Sequence, residues 1–142
     1  MTDTSELLKE CNAGIKMGVS SIEEVLDNVK CDGMKKILSS SKEEHQRLGS
    51  ETRELLNEYG LEGKEPNPMA KGMSWLKTNV MLSMDESDQT VADLITDGCN
   101  MGVKSLNKYL NQYAAADEKA KDIAKKLINM EAKLAVDLRE YL

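Results

Sequence analysis

The sequence predicts an all-α fold: a four-helix bundle built from two similar helical hairpins, with a long, partly helical crossover between helices 2 and 3. Three observations predict it. Apolar residues recur in steps of three and four along four long segments, which keeps one face of each helix inward. The composition of 142 residues, with nine Met, two Pro and no Phe, favours helix and gives almost no sign of strands. A G-x-x-M-G-V-x-S pattern is written twice, as GIKMGVSSI at 14–22 and GCNMGVKSL at 98–106, 84 positions apart.

Helix 1 is expected from about Thr4 to Val29. Asp3 followed by Glu6 resembles a capping box, and the inward stripe reads Leu7, Cys11, Ile15, Gly18, Ile22, Val25, Val29. A turn at Lys30 to Gly33 then reverses the chain. Helix 2 carries Met34, Leu38, Ser41, His45, Leu48, Thr52 and Leu55 and ends near Tyr59, with Gly60 as its stop. The segment GLEGKEPNP holds too much Gly and Pro to continue a helix. Asn67-Pro68 restarts one, and Met69, Met73, Trp75 and Leu76 give it an apolar side suited to core packing or to a partner or subunit contact.

Helix 3 is expected from about Asp88 to Tyr113, with the stripe Val91, Ile95, Gly98, Gly102, Ser105, Tyr109. Helix 4 runs from about Asp117 to the C-terminus, with Ala120, Ile123, Leu127, Glu131, Leu134 and Leu138 inward. The chain is expected to form one domain over 1–142: hairpin 1 at about 4–59, crossover at about 60–87 and hairpin 2 at about 88–142.

Helix 1 aligns on helix 3 at a shift of 84, matching Gly14 with Gly98, Met17 with Met101 and Gly18 with Gly102. Helix 2 aligns on helix 4 at a shift of 86, matching Ile37 with Ile123, Leu48 with Leu134 and Arg53-Glu54 with Arg139-Glu140. Repeated hairpins with a long middle connection fit a bundle of internal pseudo-two-fold symmetry. In these hairpins, and in the segment PNPMAKGMSWLK, the chain resembles the ferritin-like superfamily. More narrowly it looks like bacterial ferritin-like domains distantly related to rubrerythrin and bacterioferritin. The polar start MTDTSELLKE and the lack of a long apolar run lead to an expected cytoplasmic location, and the resemblance implies association into a homodimer or larger assembly.

The superfamily's di-iron site takes a Glu from each of two helices and Glu-x-x-His from each of the others, all at one level. Here the lone histidine, His45, follows Lys42 where the motif needs Glu, and Glu131 stands where the second His belongs. Folding the hairpins about residues 30 and 114 places His45 near Ile15 and Glu131 near Asp97, in a layer that also holds Gly14, Gly18, Gly98, Gly102, Cys11 and Cys99. Glycines therefore occupy the stripe where a metal carrier keeps carboxylates. The expectation is a bundle without an intact di-iron centre and without a cofactor, with His45 and Glu131 as a buried, hydrogen-bonded polar pair. The alternative is a ferritin-like metal-binding protein or oxidase with an iron or manganese site of unconventional kind around Glu44, His45, Asp97 and Glu131.

A helix-interior glycine costs about 1 kcal/mol relative to Ala, so four of them ask for a reason. Close helix crossing is one; room for a small buried ligand or water is the other. Cys11, Cys31 and Cys99 show no C-x-x-C spacing and read as reduced thiols, two of them small core residues. A net charge of -6 excludes a general nucleic-acid binder. There is no membrane-spanning run, no phosphate loop and no G-x-S-x-G. The chain reads as a non-enzymatic cytoplasmic protein that acts by self-association or by binding.

Overall fold

A computed structural model describes residues 2–61 and 87–142. These residues form four helices, α1 (Asp3–Leu26), α2 (Asp32–Glu58), α3 (Asp88–Gln112) and α4 (Glu118–Asp137), and a closing 3-10 turn at Arg139–Tyr141, with no strand among them. None of the helices is long and apolar enough to cross a membrane. The crossover residues Met69, Met73, Trp75 and Leu76 lie outside the described residues.

Local chemistry sets most of the ends. Thr2, rather than Asp3, caps α1, its Oγ1 accepting the Ser5 N–H at 3.1 Å. Ser87 caps α3 by accepting from the Thr90 N–H at 3.2 Å. Past α2, Gly60 takes φ 69°. The Gly60 N–H then reaches the Asn57 carbonyl at 3.0 Å and the Leu61 N–H the Leu56 carbonyl at 2.8 Å, a Schellman ending that only a residue without Cβ adopts at no cost.

Neither α2 nor α4 has a side-chain cap of its own. Each hairpin turn is instead held by the first turn of the opposite hairpin. The Asp88 carboxylate accepts the N–H groups of Lys30 at 2.8 Å and Cys31 at 2.9 Å. At the other end Asp3 accepts the Ala115 N–H at 3.0 Å, and the Thr4 hydroxyl accepts the Asp117 N–H at 2.8 Å. This engagement explains why Asp3 is unavailable as a cap.

The clasps also set the topology. The start of α3 sits at the α1–α2 turn and the start of α1 at the α3–α4 turn, so α1 and α3 are antiparallel. Salt bridges from Lys126 to Glu51 (3.0 Å) and from Lys133 to Glu44 (3.8 Å) show α2 and α4 antiparallel as well. The Tyr59 hydroxyl donates to Asp117 at 2.6 Å, which puts the end of α2 at the α3–α4 turn. Leu61 and Ser87 therefore lie at opposite ends of the bundle.

The predicted stripes of α1, and of α2 as far as Thr52, are inward: Leu7, Cys11, Ile15, Ile22, Val25, Met34, Leu38, His45 and Leu48 are all buried, while at the end of α2 Leu56 is buried in place of the expected Leu55 and Tyr59 is exposed. In α3 the stripe departs from expectation after Ile95. Gly98 is exposed, and Cys99 and Leu106, each one position on from the stripe, are buried in its place. Glycine and serine offer no apolar surface, so the larger neighbours take the core positions.

Removing the Asp88 clasp leaves two N–H groups without their charged acceptor. Asp88→Ala is expected to cost about 1–3 kcal/mol in urea unfolding at neutral pH. A change within the roughly 0.5 kcal/mol typical of surface substitutions would mean the turn holds itself.

Candidate functional site

The core is divided. One cluster, with Leu7, Cys11, Ile15, Leu48, Leu106 and Leu127, fills the end at the α3–α4 turn. The other, with Ile22, Val25, Met34, Leu38, Ile95 and Leu134, fills the end at the α1–α2 turn. Between them lies one level at which each helix contributes something other than an aliphatic side chain: Gly18 from α1, His45 from α2, Gly102 from α3 and Glu131 from α4.

His45 is 1% exposed and Glu131 8%. The His45 Nδ1–H donates to the Ser41 carbonyl one turn earlier, at 2.7 Å. A carbonyl can only accept, so this bond fixes the tautomer and leaves Nε2 as a bare acceptor when the ring is neutral. Nε2 has no partner, and neither has Oε2 of Glu131. The two are not the hydrogen-bonded pair expected from sequence. Two more buried polar atoms among the described residues, Asn12 Oδ1 and Thr96 Oγ1, are also unpartnered; nothing in the structure explains them.

Burial controls the charge of both groups. It pushes the Glu131 carboxyl up to about 8 and lowers the His45 imidazole below its ordinary 6.5. At neutral pH the layer therefore holds a neutral acid and a neutral imidazole. Cys99 and Cys11 are pushed up to about 12, chiefly by burial with Glu131 adding to it, so neither is a thiolate nucleophile.

The glycines serve two purposes. A Cβ on Gly18 would stand 2.8 Å from Cδ2 and 2.9 Å from Nε2 of His45, and one on Gly102 would overlap the Glu131 carboxylate. These two seat the polar side chains. A Cβ on Gly98 would meet nothing within 4 Å, and one on Gly14 would make only an ordinary contact, 3.5 Å from Leu127. What the set leaves is a cavity of about 300 Å³ walled mainly by α1 and α3, with His45, Glu131 and Leu134 reaching in from α2 and α4. Its rim includes Met17 and the 52% exposed Met101. Of the two readings of the glycines, close approach holds at Gly18 and Gly102 and open space at Gly98.

The other sequence candidates fall elsewhere. Glu44 is half-buried, pairs with Lys133 at 3.8 Å and does not line the cavity; Asp97 is exposed on the outer side of α3. The level expected for His45 and Glu131 was off by about one turn, because the turns centre later than residues 30 and 114. No three His, Cys, Asp or Glu side chains among the described residues converge as a metal would need. Sequence reasoning did not single out Ser41, whose carbonyl orients His45. The signal was available, since residues four apart on a helix are neighbours.

Comparison with protein families, curated proteins and solved structures finds no match to this chain.

The seating of the polar groups predicts opposite outcomes for neighbouring glycines. Gly98→Ala should raise stability by up to about 1 kcal/mol through helix propensity alone. Gly18→Ala and Gly102→Ala should lower it by about 1–3 kcal/mol, because the buried ring or carboxyl must shift. Equal gains at all three in denaturant unfolding would contradict the geometry.

Titration gives a second check. Between its ordinary 4.5 and about 8, Glu131 takes up a proton on folding, so its contribution makes stability fall as pH rises through that window. His45 acts oppositely, losing stability as pH falls below 6.5. From about pH 6.5 to 8 only Glu131 acts, so stability should decline there in the wild type and stay level in Glu131→Gln. Parallel curves for the two proteins would show that the carboxyl is ionised throughout.

Proposed function

We propose that this protein is a small-molecule binding bundle whose site is the mid-bundle cavity, with His45 and Glu131 as polar anchors inside apolar walls. The observation that carries the reading is the pair of unpartnered polar atoms, His45 Nε2 and Glu131 Oε2, buried at one cavity. Each orphan costs about 1–3 kcal/mol and each helix-interior glycine about 1 kcal/mol. Together they rival the roughly 5–15 kcal/mol of net stability of a whole domain. A layer of that cost is poor as mere packing and reasonable as a site that a ligand completes.

The ferritin-like resemblance and the internal duplication belong to the same proposal. Support comes from the matching of Gly18 and His45 in one hairpin with Gly102 and Glu131 in the other, at the shifts of 84 and 86 found in sequence. A bundle of this descent would hold a ligand cavity at the level where relatives hold metal. Of the four metal candidates, only His45 and Glu131 meet at the cavity, so an iron or manganese site would have to find its other ligands outside the described residues. Self-association through Met69, Met73, Trp75 and Leu76 is compatible with ligand binding and independent of it.

Indole offers a neutral ring with one N–H that His45 Nε2 can accept. Titrated into the full chain and followed by amide NMR, it should bind with a dissociation constant below about 1 mM, corresponding to about 4 kcal/mol. The shifts should centre on Gly18, Gly98 and Gly102. Scattered shifts, or none near these residues, would reject the cavity as a binding site.

A further inference from the structure

The charge of the cavity restricts what it can hold. Its titratable lining groups are Glu10 from α1, His45 from α2, Cys99 and Tyr109 from α3 and Glu131 from α4, with no Lys or Arg among the described residues that line it. Lys133, the cation nearest Glu131 along α4, is exposed and pairs with Glu44 at 3.8 Å. An anionic ligand would find no cation to replace its water, and burying an unpaired charge is prohibitive. Both unpartnered atoms, in contrast, can accept. His45 Nε2 is a bare lone pair because Nδ1–H is committed to the Ser41 carbonyl at 2.7 Å, and a carboxylate at Glu131 accepts only.

A group with several N–H donors and a positive charge has the chemistry that both acceptors lack. The walls ask that it carry an apolar body: Ile22, Ile95, Leu106 and Leu134 line the cavity, and a dry cavity of about 150 Å³ already admits benzene, so about 300 Å³ takes a ring with a short chain. We infer that the ligand of this cavity is an apolar primary amine, bound as its ammonium, with the N–H groups donating to His45 Nε2 and to the Glu131 carboxylate. This deepens the proposed binding role and rests on it.

Arrival of the ammonium gives the Glu131 carboxylate the partner it lacks. The Glu131 O–H bond breaks, its proton leaves to the buffer, and the bound pair is ammonium and carboxylate, so near neutral pH binding releases up to one proton. Tyr109 and Cys99 remain neutral in both states.

Three compounds of one size separate the possibilities: phenethylamine, 2-phenylethanol and phenylacetate, titrated calorimetrically at pH 7 into the full chain in two buffers of different ionisation enthalpy. The amine should bind at least about tenfold tighter than the alcohol, with proton release, and phenylacetate should not bind. Glu131→Gln keeps the side-chain shape and a neutral group, and circular dichroism verifies its fold. It should bring the amine down to the alcohol's affinity and abolish the proton release. Binding of amine and alcohol with equal affinity, or an amine preference that survives Glu131→Gln, overturns the amine inference while leaving the cavity as a binding site. Failure of both amine and alcohol to bind overturns the inference together with the reading on which it rests.

Discussion

The level at which Gly18, His45, Gly102 and Glu131 meet is the constraint around which this bundle is arranged. Above and below it, aliphatic side chains close into two ordinary cores. At that level the chain gives up aliphatic packing on all four helices at once. A ring and a carboxyl need space inside a bundle, and the partner helix of the same hairpin supplies it by dispensing with its Cβ. The surplus space is the cavity. Burial then keeps both groups neutral, and neutral groups are what an apolar interior tolerates while no ligand is bound.

Holding such a level requires the helices to keep their heights. One residue of axial slip moves a side chain by about 1.5 Å, enough to push His45 past Gly18. The reciprocal clasps meet that need: Asp88 fixes the first hairpin's turn, and Asp3 with Thr4 fixes the second's. Because both clasps join α1 or its turn to α3 or its turn, they set the spacing of the two helices that wall the cavity. Exact height matters less in the two aliphatic cores, where apolar contacts are non-directional.

How much of this could be read from the chain follows from the same geometry. Helical periodicity reports angle about an axis, so the inward faces of α1 and α2 and the inward placement of His45 and Glu131 were legible. Height is set by turn length and by contacts between residues more than 50 positions apart, such as Asp88 with Cys31. Neither leaves a periodic trace, which is why Asp97 was expected in a layer it does not reach. Glycine patterns are ambiguous in sequence because a missing side chain serves close crossing and open space equally. The distinction emerged only from what stands opposite each one: a ring at Gly18, a carboxyl at Gly102 and nothing at Gly98.

The chain contains a single histidine, so its imidazole can be observed without ambiguity. Long-range ¹H–¹⁵N correlation of the His45 ring at neutral pH tests the central claim, that a buried ring lining the cavity keeps an acceptor unused. The structure predicts the neutral Nδ1–H tautomer with Nε2 unprotonated, and a change at Nε2 on addition of indole or phenethylamine. A charged ring, an Nε2–H tautomer, or an Nε2 signal indifferent to both compounds would contradict it.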